Sequence, residues 1–201
     1  MIRPDIAVFL DRDGTVNVEE NFISSAGQLR LIPRSASAIR ALNDLGAKVF
    51  IITNQSGVAR GYFTEAAVRD VNDALKTLLK KEGAVVDDFF YCPHLPGAPD
   101  KRYDVVCDCR KPKPGMLHQA REKYGVDLRN SFVVGDRCVD IQAGKAAGTG
   151  TVMVSTGYGS EDIRNCRNLP DFVASDLFDG VLFIKDTIAA RSRSFTQSSP
   201  A

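Results

Sequence analysis

Asp11 and Asp13 stand one residue apart at the end of the apolar run Ile6-Ala7-Val8-Phe9-Leu10, with Gly14 and Thr15 directly behind them. Side chains alternate along an extended chain, so both carboxylates leave the strand end on the same side. Such a pair repels itself unless a cation intervenes, and a hard divalent ion such as Mg2+ suits oxygen ligands. Gly14 lets the backbone turn away at once. A polar turn after a strand is the plain alternative, since Asp and Gly are ordinary turn residues. The pattern returns twice, however. Lys48-Val49-Phe50-Ile51-Ile52 runs into Thr53-Asn54, and Phe132-Val133-Val134-Gly135 runs into Asp136. Parallel α/β sheets bind ligands beyond the carboxyl ends of their strands, so three such ends describe one site.

A second cluster has different chemistry. Cys92-Pro93-His94 and Cys107-Asp108-Cys109 bring together three of the five cysteines and one of the two histidines. Prolines, glycine and charged residues fill the interval, which reads as a loop. A bridge between Cys107 and Cys109 would be strained, whereas the two pairs supply a closed Cys3His set for structural Zn2+. Arg110 and Lys111 follow the last ligand directly, so zinc would make them positioned cations and not a merely solvated basic run. The Asn54-Gln55-Ser56-Gly57 stretch offers small hydrogen-bonding groups suited to phosphate oxygens. His118, Cys138 and Cys166 read as a helix-surface residue and ordinary thiols.

The four segments Asp11 to Thr15, Thr53-Asn54, Lys111-Pro112-Lys113-Pro114 and Gly135 to Asp140 occur in order. This set resembles the four motifs of the haloacid dehalogenase superfamily of phosphohydrolases, over roughly residues 6 to 157. The resemblance implies hydrolysis of a phosphate monoester through an aspartyl-phosphate. Asp11 is then the nucleophile and Asp13 the general acid and base. Mg2+ would be held by Asp11, the backbone carbonyl of Asp13, and Asp136. Thr53 and Lys111 would hold the transferred phosphoryl group, and Asp140 would orient Lys111 or a metal-bound water. A mobile element in this family implies substrate contacts from Glu19, Glu20, Asn21 and Phe22, alongside Asn54, Gln55, Ser56, Arg110 and Arg137.

Within that superfamily, the CxH…CxC loop, CRKPKPGM and TNQSGVARGYF are similar to zinc-containing phosphatases that remove the 7-phosphate of D-glycero-D-manno-heptose 1,7-bisphosphate. Histidinol-phosphate phosphatases share the loop, and other small sugar phosphates are a further alternative. Phe22 stands where tyrosine is usual there, and Arg137 where lysine is common. The rival from another class is a phospho-Asp signalling receiver domain. There the phosphorylated Asp stands alone, whereas the Asp11/Asp13 pair supplies its own acid and base and favours turnover.

The elements that must position these residues alternate between strand and helix. Helices are expected at about 35–45, closed by Gly46, at 65–81 capped by Thr64, at 115–124 closed by Gly125, and at 139–147 ended by Gly148. Further strands are expected at 85–91, 151–154 and 172–174, with a closing helix at 176–190. Residues 15–33 lack helical period and suggest a short hairpin or irregular flap. The alternation predicts a three-layer, Rossmann-like α/β domain with a mostly parallel sheet, no large cap, and the zinc loop (92–109) as an insertion. Residues 1–190 read as one domain and the polar, Ser-rich 191–201 as a disordered tail.

Charge excludes some partners. With 26 basic and 25 acidic side chains the net charge is +1, which gives no sign of nucleic acid or of a membrane surface. No stretch reaches the roughly 18 apolar residues of a membrane span. A small-molecule sugar phosphate, a monomeric state and a cytoplasmic location are the expectations.

Overall fold

In β1 (Ala7–Leu10), Val8 and Leu10 pack into one core cluster while Ala7 and Phe9 pack into another on the opposite face. Burial on both faces is what makes its sequence an unbroken apolar run and not an alternating one. The computed structural model describes residues 5–197. Around β1 lie β2 (Lys48–Asn54), β3 (Asp88–Cys92), β4 (Phe132–Gly135), β5 (Gly150–Val154) and β6 (Phe172–Ala174), in the order β3-β2-β1-β4-β5-β6. Every pairing among them is parallel. The chain winds outward from β1 in both directions. The carboxyl end of β1 is therefore the topological switch point where such sheets bind ligands.

Three layers result. Helices α1 (Ser35–Asp44), α2 (Glu65–Lys81) and α6 (Leu177–Gln197) cover the Val8/Leu10 face through Ile39, Leu42, Val71, Leu75, Val181 and Ile184. Helix α3 (Gly115–Tyr124) covers the other face through Met116, Leu117 and Ala120. Beside it α4 (Cys138–Ala147) packs Ile141 against Met153. The sequence signals for helix ends hold: Thr64 Oγ1 accepts the Ala67 N–H, and Gly125 and Gly148 close α3 and α4 in left-handed conformation. A one-turn helix, α5 (Gly159–Asp162), follows β5.

Three expectations are corrected. The third strand begins at Asp88 instead of Val85, because the Asp87 carboxylate takes the Val49 N–H as a side-chain partner before ladder pairing starts. The closing helix runs to Gln197, so residues 191–197 continue α6 and are not an irregular tail; residues 198–201 lie outside the described residues. Its apolar anchors hold the helix as far as Ile188, and each further residue adds one backbone hydrogen bond to an existing helix. Cys138 and Cys166 are joined as a disulfide across 28 positions of sequence, because the start of α4 and the 3-10 turn Ile163–Asn165 are brought side by side. No helix of the described residues is long and apolar enough to cross a membrane.

Candidate active site

The residues after β1, β2 and β4 line a single cavity of about 330 Å³ at the switch point. Asp11, Asp13, Thr53, Lys111, Asp136 and Asp140 all face it, as do Asn54, Gln55, Ser56, Arg110 and Arg137. From the segment after β1 come Glu19, Asn21 and Phe22. That segment is irregular and tied down by the Val18 N–H to Arg30 carbonyl and Ile32 N–H to Val16 carbonyl bonds. Glu20 is the exception among the expected residues. It pairs with Arg30 outside the cavity, since neighbouring side chains in this extended stretch point apart and Asn21 turns the chain with a φ of 61°.

Lys111 is buried at the floor. Its Nζ lies 2.6 Å from Asp11 Oδ1, 2.6 Å from Asp140 Oδ1 and 2.9 Å from the Ile52 carbonyl. Burial alone would lower the ammonium, but the two carboxylates outweigh it and hold Lys111 above the usual lysine range. Asn54 sets the backbone there: its Nδ2 donates to the Lys111 carbonyl at 3.0 Å and its Oδ1 accepts the Lys111 N–H at 3.1 Å. Asp140 is fixed in turn by the Arg137 N–H at 3.0 Å, at the first turn of α4.

Asp11, Asp136 and Asp140 bring carboxylate oxygens within 4.8 Å of one another, against one ammonium. Burial pushes Asp11 up, and Asp140 and Asp136 add to it against the pull of Lys111. Asp136 is pushed up to about 7, first by burial and then by Asp140. Its Oδ2 accepts the Tyr158 N–H at 2.8 Å, while its Oδ1 is buried with no hydrogen-bond partner among the described residues. An unpaired buried carboxylate oxygen beside two further carboxylates is a donor set for a hard divalent cation, so these residues fit Mg2+. The surroundings are cut to this carboxylate. Gly14 and Gly157 both have positive φ, and a Cβ on either would meet Asp136 Oδ2 at 2.3 and 2.2 Å.

Asp13 lines the same cavity with different partners. Its carboxylate accepts from Asn17 Nδ2 at 2.9 Å, Gln55 Nε2 at 3.1 Å and Arg12 Nη2 at 2.9 Å. A cation between the two side chains, expected from their spacing, is therefore not the arrangement. Asp13 turns its carboxylate to a guanidinium. Arg12 and Asn17 were not singled out in the sequence. Strand alternation is the signal for Arg12, because it directs this residue beside Leu10 into the core, where a charge requires a partner.

The second cluster closes as spaced. Cys92 Sγ lies 3.5 Å from Cys107 Sγ and 3.7 Å from His94 Nδ1, and Cys109 Sγ lies 3.3 Å from Cys107 Sγ and 3.5 Å from His94 Nδ1. A tetrahedron with Zn–S near ~2.3 Å and Zn–N near ~2.0 Å has edges of about 3.5–3.8 Å, so the set fits zinc. Hydrogen bonding by Cys92, then by Cys107 and His94, pulls Cys109 down to about 5, while the Cys92 thiol is pushed up. Glu65, at the start of α2, accepts from the Tyr91 and Tyr103 hydroxyls at 2.8 Å each and pins the loop to the domain. Arg110 Nη1 donates to the His94 carbonyl at 3.1 Å, which ties this cavity residue to the cluster.

Residues 108–180 match a family model described as HAD-hydrolase-like. The D-glycero-D-manno-heptose-1,7-bisphosphate 7-phosphatase of Chlorobaculum tepidum is 40% identical over 181 residues, covering 87% of this chain and 91% of that protein. The D-glycero-beta-D-manno-heptose-1,7-bisphosphate 7-phosphatase of Escherichia coli K12 is 39% identical over 174 residues, covering 86% and 90%. Among solved structures, the D,D-heptose 1,7-bisphosphate phosphatase of B. bronchiseptica, complexed with magnesium and phosphate, superposes with a TM-score of 0.80 at 36% identity, covering 90% of this chain and 99% of that one. These relatives are hydrolytic enzymes and not receiver domains. With its all-parallel sheet and its cavity at the strand ends, the chain belongs to the haloacid dehalogenase-like hydrolases, as a phosphatase of that family.

Proposed function

We propose that the protein removes the 7-phosphate of D-glycero-D-manno-heptose 1,7-bisphosphate through an aspartyl-phosphate on Asp11. The observation that carries the chemistry is the contact of Asp11 Oδ1 with Lys111 Nζ at 2.6 Å on the floor of a cavity that Asp13 also lines. The names of the relatives above carry the substrate, and the similarity extends over most of both chains.

Lys111 orients the Asp11 carboxylate so that its other oxygen attacks phosphorus in line with the ester bond. As that bond breaks, Asp13 gives a proton to the leaving alkoxide. Asp13 then takes a proton from the water that attacks phosphorus and releases Asp11. Lys111 and Thr53, with backbone N–H groups of the 54–57 turn, hold the phosphoryl oxygens while charge builds on them. Asp11, Asp136 and the Asp13 carbonyl would hold Mg2+, which would neutralise charge at the phosphoryl group. Cys92, His94, Cys107 and Cys109 would hold Zn2+ in a structural role, since four protein ligands would leave it no open position. Arg110 and Arg137 face the cavity as guanidinium groups suited to the second phosphate.

The test is phosphate release from a panel of heptose 1,7-bisphosphate anomers, histidinol phosphate and hexose monophosphates with Mg2+. The heptose bisphosphate should have the highest kcat/KM, and Asp11→Asn should abolish turnover of every substrate. A panel led by histidinol phosphate would overturn the substrate, and an active Asp11→Asn enzyme would overturn the mechanism.

A further inference from the structure

The largest fully buried side chain of the described residues is an arginine. Arg12 is 0% exposed, sits between Asp11 and Asp13, and does not line the cavity. A buried guanidinium is costly unless its donors are matched. Here Nε lies 3.2 Å from both Asp13 oxygens, Nη2 lies 2.9 Å from Asp13 Oδ2, and Nη1 donates to Asn72 Oδ1 at 3.0 Å. Asn72 is itself buried, on α2, among Val68, Val71 and Leu75. The chain thus spends a buried charge and a buried amide on gripping one carboxylate from behind, while that carboxylate's other face meets the cavity.

We propose that Arg12 is a positioning residue for the reaction: anchored by Asn72, its guanidinium fork fixes the plane of the Asp13 carboxyl group for proton transfer to the leaving group. The proposal rests on the reading of Asp13 as acid and base. Asn17 and Gln55 steady the same carboxylate from the flap and from the turn after β2, but each gives it one bond and shares its amide with a second acceptor, the Val18 carbonyl or Thr53 Oγ1. Only the fork defines a plane. The grip also separates two carboxylates one residue apart, leaving Asp11 to Lys111 and Asp13 to Arg12.

A group that delivers a proton matters for a poor leaving group and hardly at all for a good one. A sugar alkoxide needs the proton, whereas p-nitrophenolate leaves without it. Arg12→Gln and Asn72→Ala should lower kcat for the sugar phosphate about 10- to 100-fold, a part of the ~10²–10⁴ that general acid catalysis supplies, with KM little changed. With p-nitrophenyl phosphate the same variants should release a burst of about one nitrophenol per active site. Slow turnover should follow, because Asp13 must still deprotonate water. Asp13→Asn serves as the reference. If it lacks this leaving-group pattern, the acid–base reading of Asp13 fails. If Asp13→Asn has the pattern while folded Arg12→Gln or Asn72→Ala loses both substrates equally, or loses neither, the role of Arg12 is overturned. Should Arg12→Gln fail to fold, Asn72→Ala, which keeps the charge and removes its anchor, decides alone.

Discussion

Lys111 and Asp11 are 100 positions apart in sequence and 2.6 Å apart in space, in a pocket that also holds the Asp140 carboxylate. One cation is shared between two anions, Asp140 fully buried and Asp11 opening on the cavity. Removing it leaves both uncompensated.

Lys111→Met should therefore cost stability as well as activity. Breaking a buried ion pair from one side typically costs about 3–5 kcal/mol. Urea denaturation in Mg2+-free buffer should register a loss of that order. Loss of one preorganised donor to the phosphoryl group should cut kcat by about 10²–10³. A variant with wild-type stability but no activity would mean that Asp11 and Asp140 are not ionised together in the resting protein.

Asp136 predicts a pH dependence of the fold itself. Its carboxyl is raised to about 7 in the folded chain against 3.8 when free. A raised carboxyl favours the folded state below its unfolded pKa, and that contribution is lost as pH rises through the folded value. In EDTA the melting temperature should fall between about pH 4 and pH 7. Mg2+ should restore it at neutral pH by binding the ionised form. In Asp136→Asn the slope should flatten. A melting temperature indifferent to pH over this window would contradict burial beside Asp140 as the source.

Zinc should act on position and not on chemistry. Elemental analysis of protein purified without chelator should find one zinc per chain. Cys107→Ser should raise hydrogen exchange over residues 92–110 while leaving β1, β2 and β4 protected by their own core. Activity should fall because Arg110, which donates to the His94 carbonyl, and Lys111 lose their placement. An unfolded sheet in Cys107→Ser would show that the loop supports more than the site.

Arg110 separates specificity from phosphoryl transfer. Arg110→Ala should reduce kcat/KM for heptose 1,7-bisphosphate by about 10- to 100-fold, corresponding to the ~1.5–3 kcal/mol of a charged hydrogen bond. Part of the loss should fall on kcat, since binding energy from a remote phosphate helps orient the reacting one. Turnover of p-nitrophenyl phosphate should hardly change. Equal losses on both substrates would put Arg110 at the transferred phosphate and reopen the role of Lys111.

Much of this site is legible along the chain because it obeys local rules. Apolar runs buried on both faces mark β1, β2 and β4, and the polar residues that end them must meet where parallel strands end. Glycines after α3 and α4 are legible for the same local reason, as is the Cys3His spacing. What was hidden depends on tertiary contact. Nothing near Glu20 announces that Arg30 will draw it out of the cavity. Cys138 and Cys166 become neighbours only once α4 and the turn after α5 pack together. Asn72 looks like any polar residue on a helix, and its burial makes sense only once Arg12 is seen to enter the core from β1. The end of α6 is not legible because helix propagation outlasts the apolar pattern that anchors it.

Asn54 does one thing more. Its backbone pairs with Cys92, where the inserted loop leaves the sheet, and its side chain clasps the backbone of Lys111, where the loop returns. Departure and return are thus stitched to the same residue, and the stretch between the two ligand pairs, residues 95–106, hangs from a closed ring. A ring of this kind tolerates changes in circumference: doubling a flexible loop costs only about 0.6 kcal/mol in closure entropy. Changes of length at 95–106 that keep Tyr103 on Glu65 can therefore be absorbed while the lysine stays in register. The loop can vary without disturbing the reaction.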